Sequence, residues 1–123
     1  MATREELREA LDDYVMQAQK SERVVRSIRN WHCVIYIEAS DLNGKDKGFT
    51  MIVGNSETTV KDGTQEKPDL IIRGSSEDLT DIFWCDQNPA SNYMQGAIKV
   101  QGSQENIMRL DAMSLLIYLE VKK

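Results

Sequence analysis

The spacing of apolar residues changes at position 31 of this 123-residue chain, and no other feature constrains its fold as strongly. Upstream, apolar residues recur every three or four positions, as on one side of an amphipathic helix; they are Leu7, Leu11, Tyr14, Val15 and Ala18. Downstream, apolar and polar residues alternate, which predicts strands with one buried face. The chain is therefore predicted to begin with a helix and to continue as a sheet.

The predicted N-terminal helix has a recognisable start and an ambiguous end. Thr3 and Glu6 have capping-box spacing, in which each side chain accepts a hydrogen bond from the other residue's backbone amide. An apolar face continues through Val24 and Ile28. Ser21 lies between the two stretches, and the sequence leaves open whether it starts a second helix or only interrupts the first.

Strands account for most of the middle of the chain. In the first, residues 31–38, alternate side chains share one face; they are Trp31, Cys33, Ile35 and Ile37. The Asn43-Gly44 pair indicates a hairpin turn after it. Three further strands are predicted at residues 48–53, 57–60 and 68–73.

Turn and cap residues divide the last third of the chain. Ser75 is a good N-cap for a helix after the fourth strand, and Asn88-Pro89 begins another, shorter helix that ends near Gly96. A fifth strand follows at residues 97–101, with Ile98 and Val100 facing inward. The last helix is predicted at residues 104–119.

This order of elements, α-β-β-β-β-α-α-β-α, predicts an α+β fold with a five-stranded mixed β-sheet covered on one face by helices. A length of 123 residues is typical of one domain, so residues 1–123 are expected to form a single unit. A net charge of −5 argues against nucleic-acid binding. The chain has neither a run of about 20 apolar residues nor a signal-peptide core, so a cytoplasmic location is expected.

The residues offer little for catalysis. His32 and Cys33 are neighbours on a strand, so their side chains point to opposite faces and cannot act as a base and nucleophile pair. Cys33 and Cys85 have no metal-binding spacing and are expected to be reduced thiols. No cofactor or metal motif occurs, so we expect a protein that is not an enzyme and needs no cofactor. An enzyme stays open only if groups such as His32, Glu38 or Asp86 meet in space.

A basic stripe precedes the first strand, formed by Lys20, Arg23, Arg26 and Arg29. On a helix these side chains could meet a phosphate, a carboxylate or an anionic bilayer. A solvated face balanced by Glu22 is the simpler interpretation, so at most transient membrane contact is expected.

The last helix is too apolar for its predicted place. A helix on one side of a sheet needs an apolar arc of roughly 100°, but residues 112–119 are apolar nearly all round, apart from Ser114 and the tip of Tyr118. Neighbouring helices, a partner chain or a bound ligand must cover the excess. The nearby methionines would suit a cavity that adapts its shape.

Residues 69–119 resemble the sterol carrier protein 2 family, most clearly at residues 88–102, NPASNYMQGAIKVQG. That family has an Asn-Pro turn, an aromatic-Met-x-Gly-x-Ile/Leu-Lys-Ile/Val-x-Gly run and a hydrophobic last helix. The resemblance implies a five-stranded sheet with helices on one face and a hydrophobic tunnel. Carried onto matching positions, the tunnel lining would be Phe83, Tyr93, Met94, Ile98, Met108, Met113 and Leu116.

The resemblance implies non-enzymatic binding or transfer of an apolar ligand, such as a fatty acid, acyl-CoA, a sterol-like molecule or another lipid. The alternative is a dimerisation or scaffold module whose last helix is covered by a partner chain, for example in a homodimer. Two features depart from the family. Cys85-Asp86 stands where the family often has Gly-Lys, so no headgroup contact is carried over, and Val121-Lys122-Lys123 is not a peroxisomal signal.

Overall fold

A computed structural model describes residues 2–42, 48–64, 67–84 and 98–121. Its helices are α1 (Arg4–Lys20), α2 (Glu22–Ser27), α3 (Ser76–Phe83) and α4 (Gln104–Val121), and its strands are β1 (Cys33–Ala39), β2 (Gly48–Gly54), β3 (Glu57–Asp62), β4 (Leu70–Gly74) and β5 (Ile98–Gly102). The predicted α+β fold with a five-stranded mixed sheet is confirmed, and the described elements follow the predicted order with α2 as an additional helix before β1. The Asn43-Gly44 turn and the short helix predicted from Asn88-Pro89 lie outside the described residues.

The five strands form one mixed sheet in the order β3-β2-β1-β4-β5. β1 and β4 are parallel, whereas β1–β2, β2–β3 and β4–β5 are antiparallel. Two parallel strands cannot be joined by a tight hairpin. The chain first forms the antiparallel strands β2 and β3 on one side of β1. It then crosses to the other side of β1, where β4 pairs with it.

The alternation predicted for the first strand is confirmed. Every second residue of β1 is buried, while the residues between them, such as Tyr36, are half-buried on the outer face. The inward-facing Ile35 lies opposite Met51 of β2 and Leu70 of β4, and all three side chains are fully buried. Because a slip of one residue would turn this whole set outward, burial of one face fixes the register of the sheet.

Ser21 starts a second helix. Its side chain accepts a hydrogen bond from the Val24 amide at 3.3 Å, so it is both the C-cap of α1 and the N-cap of α2. At the other end of α1, both hydrogen bonds of the Thr3–Glu6 capping box are present. The question that the sequence left open is thus resolved by a second N-cap.

Polar contacts join the helices to the ends of the sheet. On α1, Arg8 Nη1 lies 2.6 Å from Oδ1 of Asp62, the last residue of β3. Asp41, which follows β1, accepts hydrogen bonds from Ser76 N at 2.7 Å and Ser76 Oγ at 2.8 Å. These contacts connect the sheet to the first turn of α3. Within the described residues, no helix combines the length and hydropathy that a membrane crossing requires.

Gly102 closes β5 where the sheet has no room for a side chain. Its φ is +154°, and a Cβ at this position would lie 2.7 Å from the carbonyl oxygen of Asp69 and closer still to the Leu70 side chain. Gly63 also has a positive φ, of +75°, but a Cβ there would meet nothing within 4 Å. A side chain at Gly63 would therefore cause backbone strain alone, whereas a side chain at Gly102 would cause both strain and steric overlap.

We expect Gly102→Ala to lower the free energy of unfolding by about 2 kcal/mol or more, because the overlap adds to the strain. Gly63→Ala should cost only about 1 kcal/mol from backbone strain alone. Urea denaturation of both variants measures the difference. Equal losses would contradict the close approach between β5 and β4.

Candidate functional site

A small apolar cavity lies where β4 and β5 meet α3 and α4. Its volume is about 30 Å³. The lining residues come from the sheet and from both helices. They are Ile72, Ile98 and Val100 from the sheet, Leu79, Ile82 and Phe83 from α3, and Leu110, Asp111 and Ser114 from α4. The described walls are thus apolar apart from one carboxyl and one hydroxyl group on α4.

Tyr14 of α1 supports two walls of this cavity from behind. Its ring packs edge-on against Phe83, with ring centroids 5.1 Å apart and an interplanar angle of 85°. Its hydroxyl lies 2.7 Å from Ser114 Oγ, so the two hydroxyls form a hydrogen bond. Tyr14 is fully buried and needs a polar partner, which gives Ser114 a structural reason to interrupt the apolar segment of α4.

Asp111 is the charged residue among those described around the cavity. The residue as a whole is exposed. Even so, partial burial of its carboxyl raises its pKa above the usual value, because desolvation disfavours the ionised form. A partly desolvated carboxylate therefore stands beside an apolar cavity.

Two of the seven residues predicted to line a tunnel, Phe83 and Ile98, line this cavity. Tyr93 and Met94 lie outside the described residues. Met113 is fully buried in the core, and Leu116 is half-buried, but neither borders the described cavity. Contact between these residues and a ligand stays a prediction.

Met108 occupies a different side of α4. It is 61% exposed, and its stripe continues through Ala112, Leu115 at 44% and Leu119 at 47%. The opposite side of the helix carries the buried Leu110, Met113 and Ile117. The described residues thus cover one side of this apolar helix and leave the other side exposed to solvent. The exposed residues are Met108, Ala112, Leu115 and Leu119.

The sequence prediction missed most of the cavity lining. Alternation in the strands had placed Val100 inward, but it could not show that Ile72 and Val100 face a cavity rather than solid core. The signal that was available lies on α4, where Asp111 and Ser114 are polar residues three positions apart in an apolar helix. Such a pair shares one side of a helix, which indicates that this side contacts a polar group.

Two larger hollows lie on the surface and are more open to solvent than the cavity. One, of about 350 Å³, is lined in part by His32, Cys33 and Asp69 at one end of the sheet. The other, of about 270 Å³, is lined in part by Lys20, Arg26 and Arg29. The small cavity between the sheet, α3 and α4 is the better candidate site for an apolar ligand, because it is less open to solvent and excludes more water than the two hollows.

The thiol that borders the first hollow is not activated as a nucleophile. Cys33 is buried, and burial together with the charge of Asp69 raises the pKa of its thiol to about 12, so it is protonated at neutral pH. His32 is exposed, on the other face from Cys33. No group of metal-ligating side chains occurs among the described residues.

The basic stripe of residues 20–29, which extends from the end of α1 past the end of α2, is a solvated face in the described structure. Arg23, Arg26 and Arg29 are exposed, and Arg26 Nη2 lies 3.8 Å from Glu22 Oε2. Exposed pairs of this kind contribute little to stability.

Residues 14–114 match the sequence model of the SCP-2 sterol transfer family. This match spans most of the chain, so the protein belongs to that family, and the resemblance seen in residues 69–119 is confirmed. Membership implies binding or transfer of lipids or sterols. Domains of the family generally bind lipids without catalysis, although some occur within enzymes.

Solved structures show the same fold at low sequence identity. The sterol carrier protein domain 2 of Helicoverpa armigera is 17% identical, with a TM-score of 0.68 over 92% of this chain and 88% of that chain. The ubiquinone synthesis protein UbiJ-SCP2 is 14% identical, with a TM-score of 0.62 over 89% of this chain and 85% of that one.

An enzyme also contains this fold. The sec-alkylsulfatase Pisa1 from Pseudomonas sp. is 15% identical over 73% of this chain, with a TM-score of 0.57, but the match spans only 13% of the enzyme. A sequence comparison with curated proteins gives no significant match.

We expect Asp111→Asn to stabilise the protein at neutral pH. The raised folded-state pKa means that the ionised carboxyl costs stability, and this cost disappears once the group is protonated in both states, below about pH 3.9. The measurement is the difference in free energy of unfolding between variant and wild type from pH 3 to pH 8. Glu105→Gln, on an exposed residue of the same helix, is the control, and a pH-independent difference would contradict the burial of Asp111.

Proposed function

We propose that the protein binds an acyl chain or similar lipid between its sheet, α3 and α4, and carries it without catalysing a reaction. The observation that supports this most directly is the apolar cavity between the sheet and these two helices. Its place agrees with two of the residues that the family resemblance assigned to a tunnel, Phe83 and Ile98. A hydrophobic tunnel, a transfer role and a cytoplasmic location are parts of the same proposal.

The described cavity is too small for a lipid. A water molecule needs roughly 10–15 Å³ of such space, so about 30 Å³ holds two or three waters at most. Binding must therefore widen the cavity by moving side chains or helices. Burial gains about 0.8 kcal/mol per methylene, or roughly 11 kcal/mol for a chain of about 14 methylenes. That gain can offset a substantial rearrangement and still leave micromolar affinity.

The direct test is to find the ligand. Native mass spectrometry of the purified protein, followed by organic extraction, is expected to detect a bound lipid. A mass equal to the bare chain, together with no uptake of a fluorescent fatty acid or fluorescent fatty alcohol at tens of micromolar, would count against the proposal.

A pair of valine substitutions tests the location. Val100→Phe places a ring in the cavity and is expected to reduce lipid uptake about tenfold or more, because it occupies the space that the ligand needs. Val34→Phe makes the same change on the opposite face of the sheet and should leave uptake unchanged. Titration with a fluorescent lipid measures both.

The reverse pattern would place the ligand elsewhere. If Val34→Phe abolishes uptake and Val100→Phe does not, the ligand binds in the hollow beside His32, which Val34 also lines.

The exposed stripe of α4 favours a second candidate function, which is self-association through this helix. Met108, Ala112, Leu115 and Leu119 follow one another at spacings of four, three and four residues, the pattern of a coiled-coil seam. Such a seam is covered by another helix. A second copy of the chain supplies an identical stripe, and a two-fold dimer would bring the two together.

Self-association is tested by sedimentation over a range of concentrations. We expect Leu115→Lys to weaken a dimer at least tenfold, since it puts a charge in the seam. Met16→Lys is a matched control, because Met16 is a similarly exposed apolar residue, at 50%, on α1. A wild-type protein that stays monomeric at every concentration would exclude this second function.

A further inference from the structure

The cavity's polar groups lie together on one helix. Asp111 and Ser114 are three residues apart on α4 and both border the cavity, so they share one side of the helix. The other described lining residues are apolar. A lipid in this cavity would therefore place its polar end near these two side chains, where its hydrogen bonds can be satisfied.

No described cation stands ready to meet an anionic headgroup there. Arg109 precedes Asp111 by two residues, but it does not border the cavity, and its Nε lies 3.7 Å from Glu105 Oε1. Lys99 alternates with the cavity-lining Ile98 and Val100, so it belongs to the other face of β5, and it is exposed. Neither side chain is placed to balance a carboxylate at Asp111.

The remaining walls do not change this charge. Arg73 of β4 lies on the outer face, with its Nη1 2.9 Å from Gln101 Oε1 and its Nε 3.4 Å from Glu38 Oε1. α3 contains no basic residue and carries three acids, Glu77, Asp78 and Asp81. From α1, the residue that reaches Ser114 is the neutral Tyr14. The described surroundings of the cavity are thus neutral or negative.

A hydroxyl group matches this pair of polar side chains. A carboxylate such as Asp111 accepts hydrogen bonds, whereas a serine hydroxyl can donate one and accept others. A ligand hydroxyl can donate to Asp111 and use its oxygen to accept from Ser114. A ligand carboxylate can only accept, and it would bring a second negative charge next to the first in a partly desolvated place.

We infer that Asp111 is a specificity-determining residue, which makes the cavity select lipids with an uncharged, hydroxyl-bearing end over fatty acids and other lipids with an anionic end. This inference rests on the proposed lipid-binding function. It narrows the ligand class, since family resemblance alone admits fatty acids and acyl-CoA equally with neutral lipids.

The test compares 1-hexadecanol with palmitate, which share a chain length and differ in the end group. Both are presented to the full chain at pH 8 on a cyclodextrin carrier, and each is measured by competition with a neutral fluorescent lipid. We expect wild-type protein to bind hexadecanol about tenfold more tightly than palmitate. Asp111→Asn should raise palmitate affinity about tenfold and so remove most of the preference.

Two further variants define the cause. Glu9→Gln removes the same charge at an exposed residue of α1 that does not border the cavity, and it should keep the wild-type preference. Ser114→Ala should weaken hexadecanol binding several-fold, because it removes the hydroxyl that donates to the ligand oxygen. Thermal melting of each variant checks that the fold is intact; Asp111 and Glu9 are exposed, so both variants should fold.

The outcomes separate the inference from the proposal on which it rests. Equal affinity for the two lipids, with no effect of Asp111→Asn, overturns the selectivity and leaves lipid binding standing. An equal effect of Glu9→Gln overturns the specific role of Asp111, because net charge would then suffice. Binding of neither lipid by the wild-type protein overturns the proposed function and the inference together.

Discussion

The parallel pairing of β1 with β4 is the constraint from which the arrangement of the other elements follows. It puts β1 in the middle of the sheet, between β2 and β4, with its inward residues on the same face as Met51 and Leu70. It also carries the chain across the sheet, so that α3, β5 and α4 are all built on the β4 side. The cavity lies there because α3 and α4 both meet the β4 and β5 edge of the sheet.

One buried tyrosine connects this region to the N-terminal half. Tyr14 packs on Phe83 and shares a hydrogen bond with Ser114, so α1 positions both α3 and α4. The contact also explains why a helix with so much apolar surface contains a serine. It leaves a hydroxyl at the cavity wall, three residues from the carboxyl of Asp111. A structural requirement and a candidate point of ligand contact thus involve the same side chain.

Local features were predictable because each depends on neighbours in the sequence. The capping box of Thr3 and Glu6, the N-cap at Ser75 and the period of β1 are all set by residues within a few positions, and all are present. The individual members of the site were less predictable. Family resemblance named seven residues for a tunnel; of these, Phe83 and Ile98 border the described cavity and Met108 is 61% exposed. Their contact with a ligand stays a prediction. Apolar periodicity cannot tell which of several apolar stripes on one helix faces inward.

The sequence by itself determined the five strands, the long first and last helices and the family, because periodicity, capping and the run at residues 88–102 depend on neighbouring residues. Only the tertiary structure decided how the apolar excess of α4 is divided. Leu110, Met113 and Ile117 enter the core, and the stripe from Met108 to Leu119 stays exposed. It also decided that Asp111 and Ser114 border a cavity. Both results depend on which side of a helix meets the sheet, and that is fixed by packing between residues distant in the chain.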